Sequence, residues 1–174
     1  MPGKEEIVLL PDAGPLITLA YAGALNLLHK PGWTVALVDM VLHEVTRNET
    51  PTSRKINAWA KRKNLVILDT KVYRRYGRAL AVSAPRKSNL GELAIQEAMQ
   101  LFALESRARS GVFLFEDHKI AHASFLLPDN CRKVSTRAFL IFLEEKGWIA
   151  SAAAVEREAI RNGRQFSMLR FPGR

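Results

Sequence analysis

Acidic residues recur along this chain at points where an apolar run ends or a helix begins. Asp12 follows IVLLP, Glu44 lies in MVLHEV, Glu92 lies in NLGELAIQEA, and the pair Glu116 and Asp117 follows VFLF. Carboxylate oxygens are the ligands that favour Mg²⁺ or Mn²⁺. If folding gathers these acids, the pattern predicts a metal site that hydrolyses phosphodiesters, because bound metal activates a water and stabilises the leaving oxygen.

Each acid also has an ordinary explanation. Asp12 fits a turn or an N-cap before the next helix. Glu44 fits a solvent-exposed helix face, and Glu92 would stabilise a first helical turn through the helix dipole. Glu116 and Asp117 can begin and cap the helix that follows them. The functional interpretation therefore depends on the whole set.

Other catalytic patterns have less support. The chain has no GxxxxGK[ST] loop and no GxGxxG after a strand, which disfavours nucleotide-binding classes. His118 and His122 have the i, i+4 spacing of a zinc pair, but the glutamate and third ligand of a zincin motif are missing. Cys131 is the single cysteine, so the sequence excludes an internal disulfide and predicts a small buried apolar residue in a reducing compartment.

The elements that must position the acids alternate between strands and helices. Short apolar runs predict strands at residues 7–10, 33–38, 65–68, 112–115 and, at an edge, 132–135. Helical patterns predict helices at residues 16–30, 40–48, 51–63, 91–109, 117–125, 136–146 and 152–162. This alternation predicts an α/β fold with a mostly parallel sheet, whose strand ends meet at one edge. Asp39 is expected to cap the helix at 40–48.

We expect one domain over residues 1–174, with a C-terminal helix and basic tail from about residue 151. The net charge of +9 and the isoelectric point of about 10.1 favour a polyanionic partner such as RNA. No apolar stretch approaches the roughly 18 residues of a membrane span, and no secretory pattern begins the chain. The sequence therefore predicts a cytoplasmic protein without a membrane.

A basic segment at residues 71–88 is the predicted RNA contact. Tyr73 and Tyr76 are interleaved there with cations and could stack on exposed bases. The alternative is a solvated basic helix with its tyrosines packed inward. The cations of this segment are Arg74, Arg75, Arg78, Arg86 and Lys87.

Five segments in order resemble PIN-domain proteins, in particular the branch with a DxxPLIxLAxxGxLxLL opening and a "GE" helix. More distantly, they resemble the VapC toxins of toxin–antitoxin modules. The segments are IVLLPDAGPLITLAYAGALNLL, VLHEV, NLGELAIQEA, FLFEDHKIAHA and VSTRAFLIFLEEKGWI, the last followed by NGRQFS.

The resemblance implies a three-layer α/β/α fold and a magnesium-dependent endoribonuclease acting on single-stranded RNA. It implies that Asp12, Glu44, Glu92 and Asp117 bind the metal, with Glu116 as the alternative to Asp117. Thr136 matches a Ser/Thr that positions a water or a metal-bound group. The VapC type also implies a homodimer and a cognate antitoxin.

Several positions depart from the family pattern. Asn89 stands where an aspartate is common, Glu116 begins a pair that is usually Asp-Asp, and His122 stands where arginine is frequent. These departures motivate an alternative: a PIN-like protein that binds nucleic acid or a partner without catalysis.

Overall fold

A computed structural model describes residues 3–82, 89–105, 108–116 and 127–165 of the chain. At its centre is a five-stranded, all-parallel sheet with the spatial order β3-β2-β1-β4-β5. The strands are β1 (Glu6–Pro11), β2 (Thr34–Val38), β3 (Val66–Leu68), β4 (Arg109–Phe115) and β5 (Cys131–Ser135).

Seven α-helices of the described residues flank this sheet, together with a 3₁₀ helix at Leu25–His29. They are α1 (Ala13–Tyr21), α2 (Asp39–Thr46), α3 (Pro51–Arg62), α4 (Lys71–Val82), α5 (Leu90–Leu104), α6 (Thr136–Glu145) and α7 (Ala152–Arg161). The arrangement is three-layer α/β/α, which confirms the predicted fold class.

The central strand β1 is covered on both faces. Leu9 is completely inaccessible and Leu10 nearly so. On neighbouring β4, the rings of Phe113 and Phe115 stack with centroids 4.6 Å apart. Continuous apolar runs of this kind are typical of parallel strands that are buried on both sides. The residues that directly follow these strands therefore lie next to an interior that excludes water.

The predicted helix at 16–30 is wrong, because the chain turns in its middle. Helix α1 ends at Tyr21, and the 3₁₀ helix follows as a separate element. Gly23 has a φ of +64°, a left-handed conformation that disfavours other residues. The amide of Ala24 donates to the carbonyl of Leu19 at 2.8 Å and closes the helix end.

The predicted helix at 91–109 is too long. Helix α5 ends at Leu104, and Arg109 is already the first residue of β4. Arg109 pairs in register with Glu6 of β1, and its Nε donates to Glu6 Oε2 at 2.9 Å. The pairing of Arg109 with β1, a strand distant in sequence, determines where β4 begins. The local spacing of apolar residues does not reveal such a pairing.

Asp39 is the first residue of α2, whose N-cap is Val38, so the predicted cap position is wrong by one residue. Its carboxylate accepts hydrogen bonds from the Met40 amide at 2.8 Å, the Thr70 amide at 2.8 Å and the Thr70 hydroxyl at 2.7 Å. Because Thr70 follows β3, Asp39 links the carboxyl ends of β2 and β3.

The other predicted elements agree with the structure within three residues at each end, and β5 is an edge strand as expected. The predicted helix at 117–125 lies outside the described residues. In the part of the chain that is described, no helix is both long and apolar enough to cross a membrane. The extent of the domain stays a prediction.

Candidate active site

The sheet order creates a switch point between β1 and β4. From β1 the chain proceeds to β2 and β3 on one side, and β4 and β5 then lie on the other side. Ligands of open parallel sheets bind in the crevice beyond the strand carboxyl ends at such a point. Asp12 directly follows β1 and Glu116 directly follows β4. The fold therefore places two of the predicted acids at its most favourable ligand position.

Asp12 is 1% exposed and occupies the N-cap position of α1. Its backbone amide donates to the carbonyl of Leu114 at 2.8 Å, which fixes the residue at the β1–β4 crevice. Its side chain, however, accepts no capping hydrogen bond from the first turn of α1. A helix-cap role thus explains the position of the Asp12 backbone, but it does not explain why the carboxylate is buried.

Gly91 brings the carboxylates of Asp12 and Glu44 together at the start of α5. A Cβ atom on Gly91 would lie 2.8 Å from Glu44 Oε2, 3.3 Å from Asp12 Oδ1 and 3.2 Å from Val41 Cγ2. The two carboxylate oxygens are therefore at most about 6 Å apart, the sum of the first two distances. The Gly91 amide also donates to Glu44 Oε1 at 3.2 Å, which orients that carboxylate. A residue without a side chain is what this close approach requires.

The donor set at Gly91 suits a hard divalent cation. Asp12 and Glu44 supply charged oxygens from two different elements, and their mutual repulsion would be relieved by a cation between them. Oxygen ligands select magnesium or manganese over softer metals. The residues present therefore fit the metal that the sequence predicted.

Glu92 follows Gly91 in the first turn of α5 and is half-buried. Consecutive Cα atoms lie about 3.8 Å apart, so its backbone is beside the Asp12–Glu44 pair. Its acidic side chain also stabilises the amino end of α5 through the helix dipole. The position of Glu92 in the first helical turn agrees with its ordinary explanation, and its role as a metal ligand stays a prediction.

Glu116 lies against helix α1, where it contacts Gly14 and Thr18. Its Oε1 accepts a hydrogen bond from the Thr18 hydroxyl at 2.6 Å, and Arg164 Nη2 lies 3.7 Å from the same oxygen. Arg164 Nε in turn donates to Thr18 Oγ1 at 3.0 Å. The Glu116 side chain runs across Gly14, where a Cβ atom would lie 2.5 Å from Glu116 Cγ. Glu116 therefore has a neutralising arginine that the sequence did not predict.

Thr136 begins α6 directly after β5, next to β4 in the sheet. It is 2% exposed, and its Oγ1 has no hydrogen-bond partner among the described residues. A buried hydroxyl without a partner is costly, so such an atom indicates a water, an ion or a further neighbour at this position. The role that the resemblance implies for Thr136 stays a prediction.

Several predicted positions lie outside the described residues. These are Asp117, the histidines His118 and His122, and the basic residues Arg86 and Lys87. Among the described ranges, no group of three or more His, Cys, Asp or Glu side chains is placed to hold a metal ion. Cys131 is buried at the start of β5, and burial raises the pKa of its thiol, as befits a small core residue rather than a nucleophile.

The predicted RNA contact lies on α4. Its cations Arg74, Arg75 and Arg78 are exposed. Tyr73 and Tyr76 are half-buried, and their rings lie 5.5 Å and 5.3 Å from that of His43 on α2. Both tyrosines also pack against the core. The structure therefore favours the inward-packed alternative for the tyrosines and leaves the arginines to contact a polyanion.

Comparisons of this chain with protein-family models, with curated proteins and with solved structures found no match. The resemblance to PIN-domain proteins therefore stays an inference from the motifs, and the function is argued from the site.

Sequence reasoning missed three features of the site. Gly91 carries a weak signal, because glycine in a first helical turn disfavours the helix and so suggests a packing reason. Arg164 and Thr18 carry no signal of their own, since their 146-residue separation is bridged only in the folded chain.

Proposed function

We propose that this protein is a metal-dependent endoribonuclease that hydrolyses phosphodiester bonds in single-stranded RNA. The observation that carries the proposal is the approach of Asp12 and Glu44 over Gly91 at the sheet's switch point. At this point two carboxylates from different elements approach the position that a side chain on residue 91 would occupy, and such a pair of oxygen donors suits a divalent cation. The buried Thr136 hydroxyl follows β5, two strands from β1 along the sheet, and it supports the proposal.

In the proposed site, Asp12 and Glu44 would hold Mg²⁺ or Mn²⁺, with Glu92 and Asp117 as further ligands. The metal, when bound, would supply an activated water and charge stabilisation for phosphodiester hydrolysis. Gly91 keeps the Glu44 carboxylate oriented through its amide. The surrounding strands exclude water from the Asp12 side.

The substrate assignment to RNA is supported by charge. The net charge of +9 attracts phosphate backbones, and the exposed arginines of α4 offer contacts. The proposal includes a cytoplasmic toxin whose cognate antitoxin blocks the site, and a homodimer, as the resemblance to VapC toxins implies. Growth arrest on expression, relieved by Glu44→Gln, would support the toxin assignment.

The experiment that tests the nuclease is cleavage of a fluorescent single-stranded RNA with Mn²⁺. Glu44→Gln should lower the cleavage rate at least about a hundredfold, because it removes a charged ligand. The matched control is Glu49→Gln, since Glu49 is an exposed surface residue with a side chain 78% accessible. Equal loss in both variants, or none in either, would refute the assignment.

A second candidate is a PIN-like protein that binds nucleic acid or a partner without catalysis. It is favoured by the commitment of Glu116 to Thr18 and Arg164, which withdraws one acid from the edge. This candidate predicts RNA binding that is independent of Mn²⁺ and is followed by no cleavage. Retained binding with no metal-dependent change in thermal stability would decide for it.

A further inference from the structure

We propose that Arg164 is a positioning residue that holds Glu116 as a charge-compensated carboxylate and keeps it out of the metal ligand set. The inference deepens the proposed function, on which its metal-binding part rests. It concerns the acidic pair that follows β4. The sequence left open whether Glu116 or Asp117 of this pair binds the metal.

The first support is the hydrogen-bond network around Glu116. Thr18 Oγ1 donates to Glu116 Oε1 at 2.6 Å and accepts from Arg164 Nε at 3.0 Å, while Arg164 Nη2 lies 3.7 Å from the same carboxylate oxygen. A hydrogen bond to a charged carboxylate is stronger than one to a neutral acceptor. One hydroxyl thus joins the two charges into a single unit.

The second support is burial. Thr18 is fully inaccessible, and the side chains of Glu116 and Arg164 are 7% and 16% exposed. Removing one partner of a buried pair leaves the other charge uncompensated, which is strongly unfavourable. Glu116 is therefore tied to Arg164 far more tightly than a surface carboxylate would be.

The third support is the direction of the Glu116 side chain. It crosses α1 at Gly14, with Oε1 3.5 Å from the point that a Gly14 Cβ atom would occupy. The Asp12–Glu44 pair instead meets at Gly91, on α5. The Glu116 carboxylate thus packs against Gly14, and the Glu44 carboxylate packs against Gly91.

The segment that carries Arg164 is itself fixed to α1. Asn162 Nδ2 donates to the carbonyl of Tyr21 at 2.7 Å, and the Arg164 amide donates to the Ala159 carbonyl at 2.9 Å. The chain after α7 therefore delivers the guanidinium to Glu116 from a defined direction. This gives Asn162 and Arg164, the first and third residues of NGRQFS, a role that the motif alone did not reveal.

The test is a double-mutant cycle on Glu116 and Arg164, in which the Mn²⁺ affinity of each variant is measured by titration. Glu116→Gln removes a negative charge beside Arg164, so we expect Mn²⁺ to bind about tenfold more weakly. Arg164→Met removes that charge, so we expect tighter binding by a similar factor. The double variant should return to within about threefold of the wild type, because the net charge is restored.

Two further variants separate charge from structure. Arg164→Lys should keep wild-type Mn²⁺ affinity, since it preserves the charge while removing the guanidinium bond to Thr18. The matched control is Arg161→Met on the same segment, whose exposed side chain pairs with Glu158 at 3.0 Å. It should leave the Mn²⁺ affinity unchanged.

A different pattern would overturn the inference. If Glu116 ligates the metal, Glu116→Gln should weaken Mn²⁺ binding about a hundredfold and Arg164→Met should not restore it. If wild type does not bind Mn²⁺, the proposed function fails, yet thermal unfolding still tests the pair. Melting-temperature losses of Glu116→Gln and Arg164→Met that add fully in the double variant would show that the two residues are not coupled.

Discussion

At the scale of single residues, the carboxylates at one sheet edge have three different environments. Asp39 is saturated by Thr70 and the start of α2, which makes it a structural link. Glu116 is neutralised by an arginine. Asp12 and Glu44 converge over a glycine instead. Neighbouring residues, and not residue type alone, therefore distinguish these carboxylates.

Gly91→Ala tests the close approach directly. The added methyl group would lie 2.8 Å from Glu44 Oε2 and 3.3 Å from Asp12 Oδ1, so the carboxylates must move apart. We expect RNA cleavage to fall at least about tenfold, because displaced catalytic groups lose rate steeply.

The matched control is Gly77→Ala in α4, where no atom lies within 4 Å of the added methyl group. That variant should keep full activity and gain about 0.5–1 kcal/mol of stability, because alanine is the better helix former. Equal activity of Gly91→Ala and the wild type would contradict the geometry of the site.

His29 makes the stability pH-dependent. Burial, and secondarily the charge of Lys63, lower the pKa of His29 in the folded protein. The unfolded chain therefore binds the proton more readily, and stability falls as the pH drops through about 6.5 towards the folded pKa. The melting temperature at pH 5.5 should be lower than at pH 7.5.

The control for this prediction is His29→Gln, measured at the same two pH values. Its loss of stability between pH 7.5 and pH 5.5 should be smaller than that of the wild type, since the titrating group is gone. A loss of equal size would assign the pH dependence to other groups.

At the scale of elements, α4 is held at its amino end by a side chain of α5. Glu97 accepts hydrogen bonds from the amides of Lys71 at 2.8 Å and Val72 at 3.2 Å. These amides have no partners within their own helix, and the negative charge complements the helix dipole. No residue of α4 is fully buried, so packing against the core holds this helix only weakly. We therefore expect the Glu97 cap to contribute substantially to the stability of α4.

We expect Glu97→Ala to destabilise α4 by about 1–2 kcal/mol, as the loss of a helix cap does. Hydrogen exchange of the α4 amides should accelerate, while that of β1 should change little. The control is Gln100→Ala in α5, an exposed residue that should have no such effect. Unchanged exchange in Glu97→Ala would show that α4 is held by other interactions.

Most of the elements could be predicted from the sequence, and the failures have physical causes. Strands β1, β2 and β4 were found because buried apolar runs are distinctive. The break at Gly23 and the end of α5 were missed, because the first depends on a left-handed backbone and the second on pairing between Arg109 and Glu6. Neither cause is visible in local periodicity.

At the scale of the whole molecule, the chain carries a strong excess of positive charge. The net charge is +9, and the arginines of α4 are exposed. RNA binding should therefore weaken steeply with salt, because neutralised phosphates release counterions. Replacing both Arg75 and Arg78 with alanine should lower the slope of log affinity against log salt by about 1.4, or roughly 0.7 for each phosphate that is no longer neutralised.

The control for the salt dependence is Arg54→Ala, since Arg54 is paired with Glu49 on the surface at 3.1 Å. Its slope should match that of the wild type. An unchanged slope in the Arg75→Ala, Arg78→Ala double variant would place the RNA on another face of the molecule.

The candidate site was predictable in part. The sequence predicts that Asp12, Glu44 and Glu92 gather at one sheet edge, and the fold brings Asp12 and Glu44 to the same glycine. The neutralisation of Glu116 was not predictable, because Arg164 lies far away along the chain. The role of a carboxylate depends on such partners that are distant in sequence. The spacing of acidic residues along the chain does not identify these partners.

The central claim is that a carboxylate-bound metal at the switch point cleaves RNA, and Asp12→Asn tests it most directly. The variant keeps the shape of a side chain in a residue that is 1% exposed and removes its charge. Single-turnover cleavage of single-stranded RNA with Mg²⁺ should fall at least about a hundredfold, while RNA affinity stays within about threefold. Cleavage at the wild-type rate in Asp12→Asn would contradict the account.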